Sequence, residues 1–211
     1  MKNNWSHIHT PQLIVDETRV RRNLKRMISK ASGLNKELRP HFKTHQSQTI
    51  GRWCREEGIR KITVSSLGMA EYFAADGWDD ITIAFPCNLR QADRINALAE
   101  KIDLTLLTDH PEVAKEINRK IMHKVGVFIE IDAGSNRTGV HFDDAEKLNM
   151  IYGELKAGMH DVAGIYTHSG HTYACRAADD VVQTGREAIS RMERASSLIE
   201  GNIDAVCFGD T

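Results

Sequence analysis

Seven short apolar runs recur along this chain, at residues 38–43, 61–65, 81–85, 104–108, 125–132, 162–168 and 205–209, and each is followed by turn residues and a stretch of helical spacing. Several runs are apolar at nearly every position rather than at every second one. That pattern belongs to strands covered on both faces, as in parallel sheets flanked by helices. The intervening segments carry their own end signals. Asp16 can cap a helix that presents Val20, Leu24, Met27 and Ile28 on one side, with Gly33 beyond it. Asp109 followed by Pro111 starts another with Val113 and Ile117. Asn88 can cap residues 89–99, Asp143 can cap a helix running to Gly158, and residues 179–200 form the longest helix, with Val182, Ile189, Met192 and Leu198 near one face.

Strict strand–helix alternation leaves two parallel α/β architectures, an open doubly wound sheet or a closed eight-stranded barrel. No Gly-rich fingerprint follows the first run, and ionisable residues stand at the C-terminal ends of several strands: Lys43, Asp132, His168 and Asp210. Barrel enzymes place their chemistry there. The fold class expected is therefore α/β, a (β/α)8 TIM-type barrel in which residues 1–211 form a single barrel domain. Only seven strands can be counted and the sequence stops at Thr211, so the expectation is a barrel truncated after its seventh strand, with two open edges that invite association.

Composition removes several function classes. Lys and Arg total 28 against 29 Asp and Glu, a net charge of −1, so no long-range field favours nucleic acid or a membrane surface. No apolar run reaches membrane-spanning length. The four cysteines, Cys54, Cys87, Cys175 and Cys207, are scattered without a C-x-x-C pair, which points to free thiols and a cytoplasmic setting.

Four patches would meet at a barrel mouth. In Arg39-Pro40-His41-Phe42-Lys43-Thr44-His45 a single lysine ends a strand, and strand alternation would put His41, Lys43 and His45 on one face. A lysine buried there favours the neutral amine that forms Schiff bases; the plainer alternative is a basic strand end whose histidines bond neighbouring strands. In Asp132-Ala-Gly-Ser-Asn-Arg137-Thr-Gly139 two glycines allow a tight excursion, and Arg137 offers a fork of donors for a phenolate, carboxylate or phosphate, an ordinary loop being the alternative. Gly164-Ile165-Tyr166-Thr167-His168-Ser169-Gly170-His171 presents a phenol and imidazoles as donors, bases or metal ligands, or simply a polar strand end. Phe208-Gly209-Asp210-Thr211 could cradle a phosphate on backbone N–H groups and a hydroxyl.

Together these patches resemble the N-terminal barrel domain of the fold-type III pyridoxal-phosphate enzymes, within the D-threonine aldolase and D-serine dehydratase branch of the alanine racemase-like superfamily. The likeness runs from Thr10-Pro11 to the last residue. Its most specific element is Arg-Pro-His-Phe-Lys-Thr-His, and the other three patches follow in family order. The resemblance implies that Lys43 carries pyridoxal 5'-phosphate and that Arg137 lies near its ring oxygen. It further implies Tyr166 and His168 along the ring or substrate, His171 toward the substrate, and Gly209 and Thr211 on the phosphate. Lys43, His168 and His171 are then the catalytic candidates. Family members also carry a C-terminal β-domain, which pairs with a leading strand such as residues 12–15 and in this branch supplies a His and a Cys for a divalent metal such as Mn or Zn. Neither that domain nor those ligands occur in these 211 residues.

The implied activity is that of a pyridoxal-phosphate-dependent lyase acting on a small D-amino acid, by retro-aldol cleavage of a β-hydroxy-D-amino acid or by D-serine-type dehydration, with the aldolase assignment favoured. A homodimer is the implied assembly. Alternatives are a racemase, a non-catalytic pyridoxal-phosphate-binding barrel, a metal-dependent barrel hydrolase using His41, His45, His168 and His171, or a fragment that only packs against another chain.

Overall fold

A computed structural model describes residues 9–209. Within them, helices and parallel strands alternate in the expected way. The helices are α1 (Glu17–Gly33), α2 (Gln48–Glu56), α3 (Leu67–Ala74), α4 (Ala92–Ala99), α5 (Pro111–Lys120), α6 (Ala145–Lys156) and α7 (Ala178–Leu198). The strands are β1 (Ile62–Val64), β2 (Asp80–Pro86), β3 (Asp103–Thr108), β4 (Gly126–Asp132), β5 (Val140–His141), β6 (Asp161–His168) and β7 (Val206–Gly209). One sheet runs in the order β1-β2-β3-β4-β6-β7, with the two-residue β5 attached to β4, and every pairing is parallel.

Side chains divide by strand face, which explains the continuous apolar runs. Ile62, Val64, Ile81, Ile83, Leu104, Leu106, Val127, Ile129 and Ile131 join the main core between sheet and helices. Leu107, Phe128 and Tyr166 form a smaller cluster on the concave side, together with Ala84, Ala163 and Cys207. Each face thus carries its own apolar layer, and a one-residue slip would exchange them. In β6 a register shift against β4 does something similar on purpose. It centres on Gly164, whose φ of +131 and contact with the Ala205 carbonyl leave no room for a Cβ. The irregularity re-aims the strand so that Tyr166 and His168 both turn inward.

Several helix ends fall where the side chains dictate. Asp16 accepts the Arg19 N–H and starts α1, and Asn88 accepts the Arg90 N–H at a short 3-10 turn that leads into α4. Two caps sit one residue further along than the sequence suggests: His110, not Asp109, precedes Pro111, and Asp144, not Asp143, caps α6. Asp109 instead accepts the Gly139 N–H at 3.1 Å, and Asp143 pairs with Arg194 at 2.7 Å. Both carboxylates serve tertiary contacts that outcompete the local cap.

The largest departure is at residues 38–43, which do not form a strand. The only ladder contact there is a single bridge between His41 and Thr63, and the chain then turns through a 3-10 segment, Phe42–Thr44. Pro40 has no N–H to donate, although its carbonyl accepts the Thr63 N–H at 2.9 Å. Phe42 then drops into an aromatic nest, 4.9 Å from Phe73 and 5.2 Å from Trp78 between ring centroids, and is 1 % exposed. Gly51 stands against the Phe42 ring and allows that approach. Burying Phe42 opposite to the strand pattern forces the turn.

Among the described residues the sheet does not close on itself, as expected of a truncated barrel. Val206 and Phe208 on β7 stay exposed, as do Val181, Val182 and Ile189 on α7, so the last two hydrophobics do not pack on a core as their helical spacing suggested. Val181, Ile189, Val206 and Phe208 border an open groove of about 950 Å3. Leu13 in the leading 12–15 segment is 93 % exposed. Among the described residues no helix is long and apolar enough to cross a membrane.

Candidate active site

The two ends of the curled sheet approach one another, and a cavity of about 190 Å3 opens between them. The 38–43 segment contributes Arg39, His41 and Lys43; β1 and β2 contribute Thr63 and Ala84; Tyr166, His168, Cys207 and Gly209 come from β6 and β7, and Arg137 from the β4–β5 loop. Lys43, Arg137, Tyr166, His168 and Gly209 are thus brought together. Thr211, and Asp210 before it, lie outside the described residues.

The 3-10 turn places Lys43 half-buried at the cavity rather than buried in a strand. It also separates the flanking histidines, so the expectation that residues 41, 43 and 45 share a face is corrected. His41 lines the cavity and its Nδ1 accepts the Lys43 backbone N–H at 3.2 Å. His45 points the other way, onto Phe42 at 4.5 Å, with Nδ1 accepting the Ser47 N–H. Burial holds both imidazoles below their ordinary pKa. His41, further opposed by the charges of Lys43 and His168, is pushed down to about 4. Both rings are therefore neutral near pH 7.

Arg137 is exposed at the apex of a loop held by carboxylates. Asp132 Oδ1 accepts the Gly134 and Asn136 N–H groups at 2.9 and 3.0 Å, Asp109 accepts that of Gly139, and Thr138 Oγ1 donates to Glu130 Oε1 at 2.7 Å. Gly139, at φ +105, sits so close to the Ile131–Asp132 backbone that only glycine fits. Glu130 was missed from sequence. It is 3 % exposed on the inward face of β4, beside Tyr166 in the ladder, and its Oε2 is buried without a partner. Burial raises its pKa, the nearby Asp109 and Asp132 charges add to this, and Thr138 and Arg137 oppose it. An acid at an inward position of an otherwise apolar strand was the available signal.

On the far wall, burial pushes the Tyr166 phenol and the Cys207 thiol above their usual ranges, so both stay protonated donors. Tyr166 Oη occupies the space a Cβ at Gly209 would need. His168 Nδ1 stands 3.1 Å from the Gly209 carbonyl; the carbonyl can only accept, so Nδ1 carries the proton. Arg39 pairs with Asp80 at 2.7 Å and donates to the Ile62 carbonyl. His171 does not reach the cavity lining. Its ring lies beside Gly134 near Arg191, with neither nitrogen hydrogen-bonded among the described residues. Among those residues no three His, Cys, Asp or Glu side chains gather as a metal site.

Among the described residues the lining contains Arg39, His41, Lys43, Arg137 and His168 and no Asp or Glu. Such a wall suits an anion and holds one primary amine, that of Lys43. The family model for the alanine racemase N-terminal domain matches residues 15–208. The chain belongs to that family. It is 32 % identical over 204 residues to D-threo-3-hydroxyaspartate dehydratase of Delftia sp., covering 94 % of this chain and 52 % of the relative. It is 29 % identical to D-serine dehydratase of Dictyostelium discoideum, covering 98 % and 57 %, and 25 % identical to D-threonine aldolase of Arthrobacter sp., covering 87 % and 49 %. The solved D-threo-3-hydroxyaspartate dehydratase from Delftia sp. HT23 superposes with a TM-score of 0.84 at 28 % identity, over 91 % of this chain and 52 % of that one. The chain spans about half the length of the curated relatives it matches.

Proposed function

We propose that this chain is the cofactor-bearing half of a pyridoxal-phosphate-dependent lyase acting on a β-hydroxy-D-amino acid. The observation that carries the reading is the cavity itself: one lysine amine, Lys43, in a wall that among the described residues holds cationic and neutral donor groups and no carboxylate. The family is pyridoxal-phosphate-dependent, and the wall suits that cofactor's charge. Lys43 would bond its aldehyde carbon, Arg137 would face its ring oxygen, and Gly209, whose bare Cα leaves room beside Tyr166 Oη, would approach its phosphate with Thr211. Tyr166 and His168 would line the ring. When bound, the cofactor supplies an electron sink for bonds broken at the substrate's Cα.

The protein's own part is proton handling and orientation. The Lys43 amine would serve as a base toward the substrate's Cα proton. His168 donates through Nδ1 to the Gly209 carbonyl, and its ring, fixed at the cavity wall, would face the β-hydroxyl side of a substrate. His171, held beside Gly134 with both nitrogens unpaired, would join the substrate side if the 132–139 loop shifted. A divalent metal would come from the remainder of a full-length family member. We further propose a single barrel domain over residues 1–211, a cytoplasmic setting and a homodimer; the exposed β7 and α7 apolar side chains support the homodimer, which sedimentation checks.

Turnover separates the candidate reactions. With added pyridoxal phosphate, D-threonine should give glycine and acetaldehyde if cleavage is the activity. D-serine or D-threo-3-hydroxyaspartate should give a keto acid and ammonia if dehydration is. Release of neither product set from any of the three, by a longer polypeptide containing this chain with the cofactor on Lys43, would overturn the assignment.

A further inference from the structure

His41 occupies an unusual electrostatic position beside the reactive amine. Its Nδ1 accepts the Lys43 backbone N–H at 3.2 Å and caps the 3-10 turn that presents Lys43. A ring nitrogen that accepts carries no proton, so the neutral ring bears its proton on Nε2. The His41 ring lines the cavity, whereas that of His45 does not and its Nε2 is buried without a partner. Among the described residues no carboxylate stands in the lining to accept from His41 Nε2. Across the cavity His168 has the opposite arrangement, its Nδ1 donating to the Gly209 carbonyl.

We propose that His41 is a positioning residue of the Lys43 site: Nδ1 fixes the turn that carries the amine, and Nε2–H donates to an anionic oxygen flanking the aldehyde carbon that Lys43 bonds. The proposal rests on the pyridoxal-phosphate reading and adds to it a residue whose two nitrogens do different work. In that cofactor two groups flank the aldehyde, the phenolic oxygen and the phosphate arm, and they share this acceptor chemistry. Neutrality of the ring, favoured by burial and by the neighbouring Lys43 and His168 charges, keeps Nδ1 available for the cap.

Two substitutions separate the roles. His41→Asn keeps an acceptor suited to the cap but removes the Nε2–H donor; His41→Ala removes both. The wild-type protein should first show His41 in nitrogen NMR as an Nε2–H ring that does not titrate between about pH 5 and 8. Binding is then followed by absorbance with pyridoxal phosphate, with pyridoxal, and with the 3-O-methyl ether of pyridoxal phosphate. His41→Asn should bind pyridoxal phosphate about tenfold or more weakly, the effect of losing one charge-assisted hydrogen bond. The loss should vanish with whichever analogue lacks or masks the accepting oxygen: pyridoxal for the phosphate, the methyl ether for the phenolic oxygen. Unchanged affinity, or equal loss with all three ligands, would overturn the donor role. An Nδ1–H ring in the wild type would overturn it as well, without touching the functional reading. A wild-type chain that shows the Nε2–H ring yet takes up no pyridoxal phosphate at Lys43 would overturn the functional reading and the donor role together.

Discussion

Replacing Phe42 by Ala tests the link between core packing and the reactive lysine. Phe42 is 1 % exposed and stacks edge-on against Phe73 and Trp78, and its burial turns the backbone just before Lys43. Removing such a ring costs about 3–5 kcal/mol for lost transfer energy and the cavity left behind. The two edge-on pairs, worth roughly 0.5–1.5 kcal/mol each beyond area, place this site toward the upper part of that range. With a urea slope of about 2 kcal/mol/M the unfolding midpoint should fall by roughly 1.5–2.5 M. Far-UV circular dichroism reads the midpoint, and hydrogen exchange reads the turn directly, with the Lys43 and Gln46 N–H groups, bonded to His41 Nδ1 and to the Phe42 carbonyl, losing protection first. Thr44→Ala, at an exposed position of the same turn, should change stability by no more than about 0.5 kcal/mol. A loss below about 1 kcal/mol for Phe42→Ala, with the turn still protected, would refute the claim that aromatic burial sets the Lys43 turn.

Three further outcomes follow from the site. Glu130→Gln should leave the chain as stable or about 1 kcal/mol more stable at pH 7, because a raised pKa means that the carboxyl's contribution is present below its ordinary value and lost as pH rises through the folded one; a clear loss at pH 7 in urea unfolding would mean that the charged form is needed. His41, His45 and His160 are all held below their ordinary pKa, mainly by burial, so their contribution is complete above about pH 6.5 and drains away as pH falls, for His41 down to about 4. Thermal midpoints should therefore drop between pH 6.5 and 4.5, and a flat profile there would contradict neutral buried rings. Arg137→Lys keeps the charge but loses the planar fork, so cofactor affinity should fall about tenfold with little change in thermal midpoint; unchanged affinity and spectrum would make Arg137 a plain surface residue.

The parallel architecture was legible because both layers of the sheet announce themselves: Val127, Ile129 and Ile131 feed one core while Phe128 and Tyr166 feed the other. Inward placement of Tyr166 and His168 was also legible, though the register shift at Gly164 that secures it was not, since a glycine in a strand pattern gives no direction to a bulge. The first strand was misread for a physical reason. His41, Lys43 and His45 fall at every second position as on one face of a strand, but what decides their conformation is a nest built by Phe73 and Trp78, more than thirty positions along the chain. Long-range burial overrode a local period. His45 was lost from the site by the same turn, and His41 was retained by it. The caps Asp109 and Asp143 failed similarly, each drawn to a tertiary partner instead of its own helix.

The central claim is that Lys43 is the residue that bonds the cofactor. Incubating the purified chain with pyridoxal phosphate, reducing with borohydride and mapping the peptides by mass spectrometry tests it directly. The account predicts a pyridoxyl group on Lys43, in the segment bearing His41 and His45, and its loss in Lys43→Ala with the fold retained. A label on Lys61 or another surface lysine, or on no lysine at all, would contradict it.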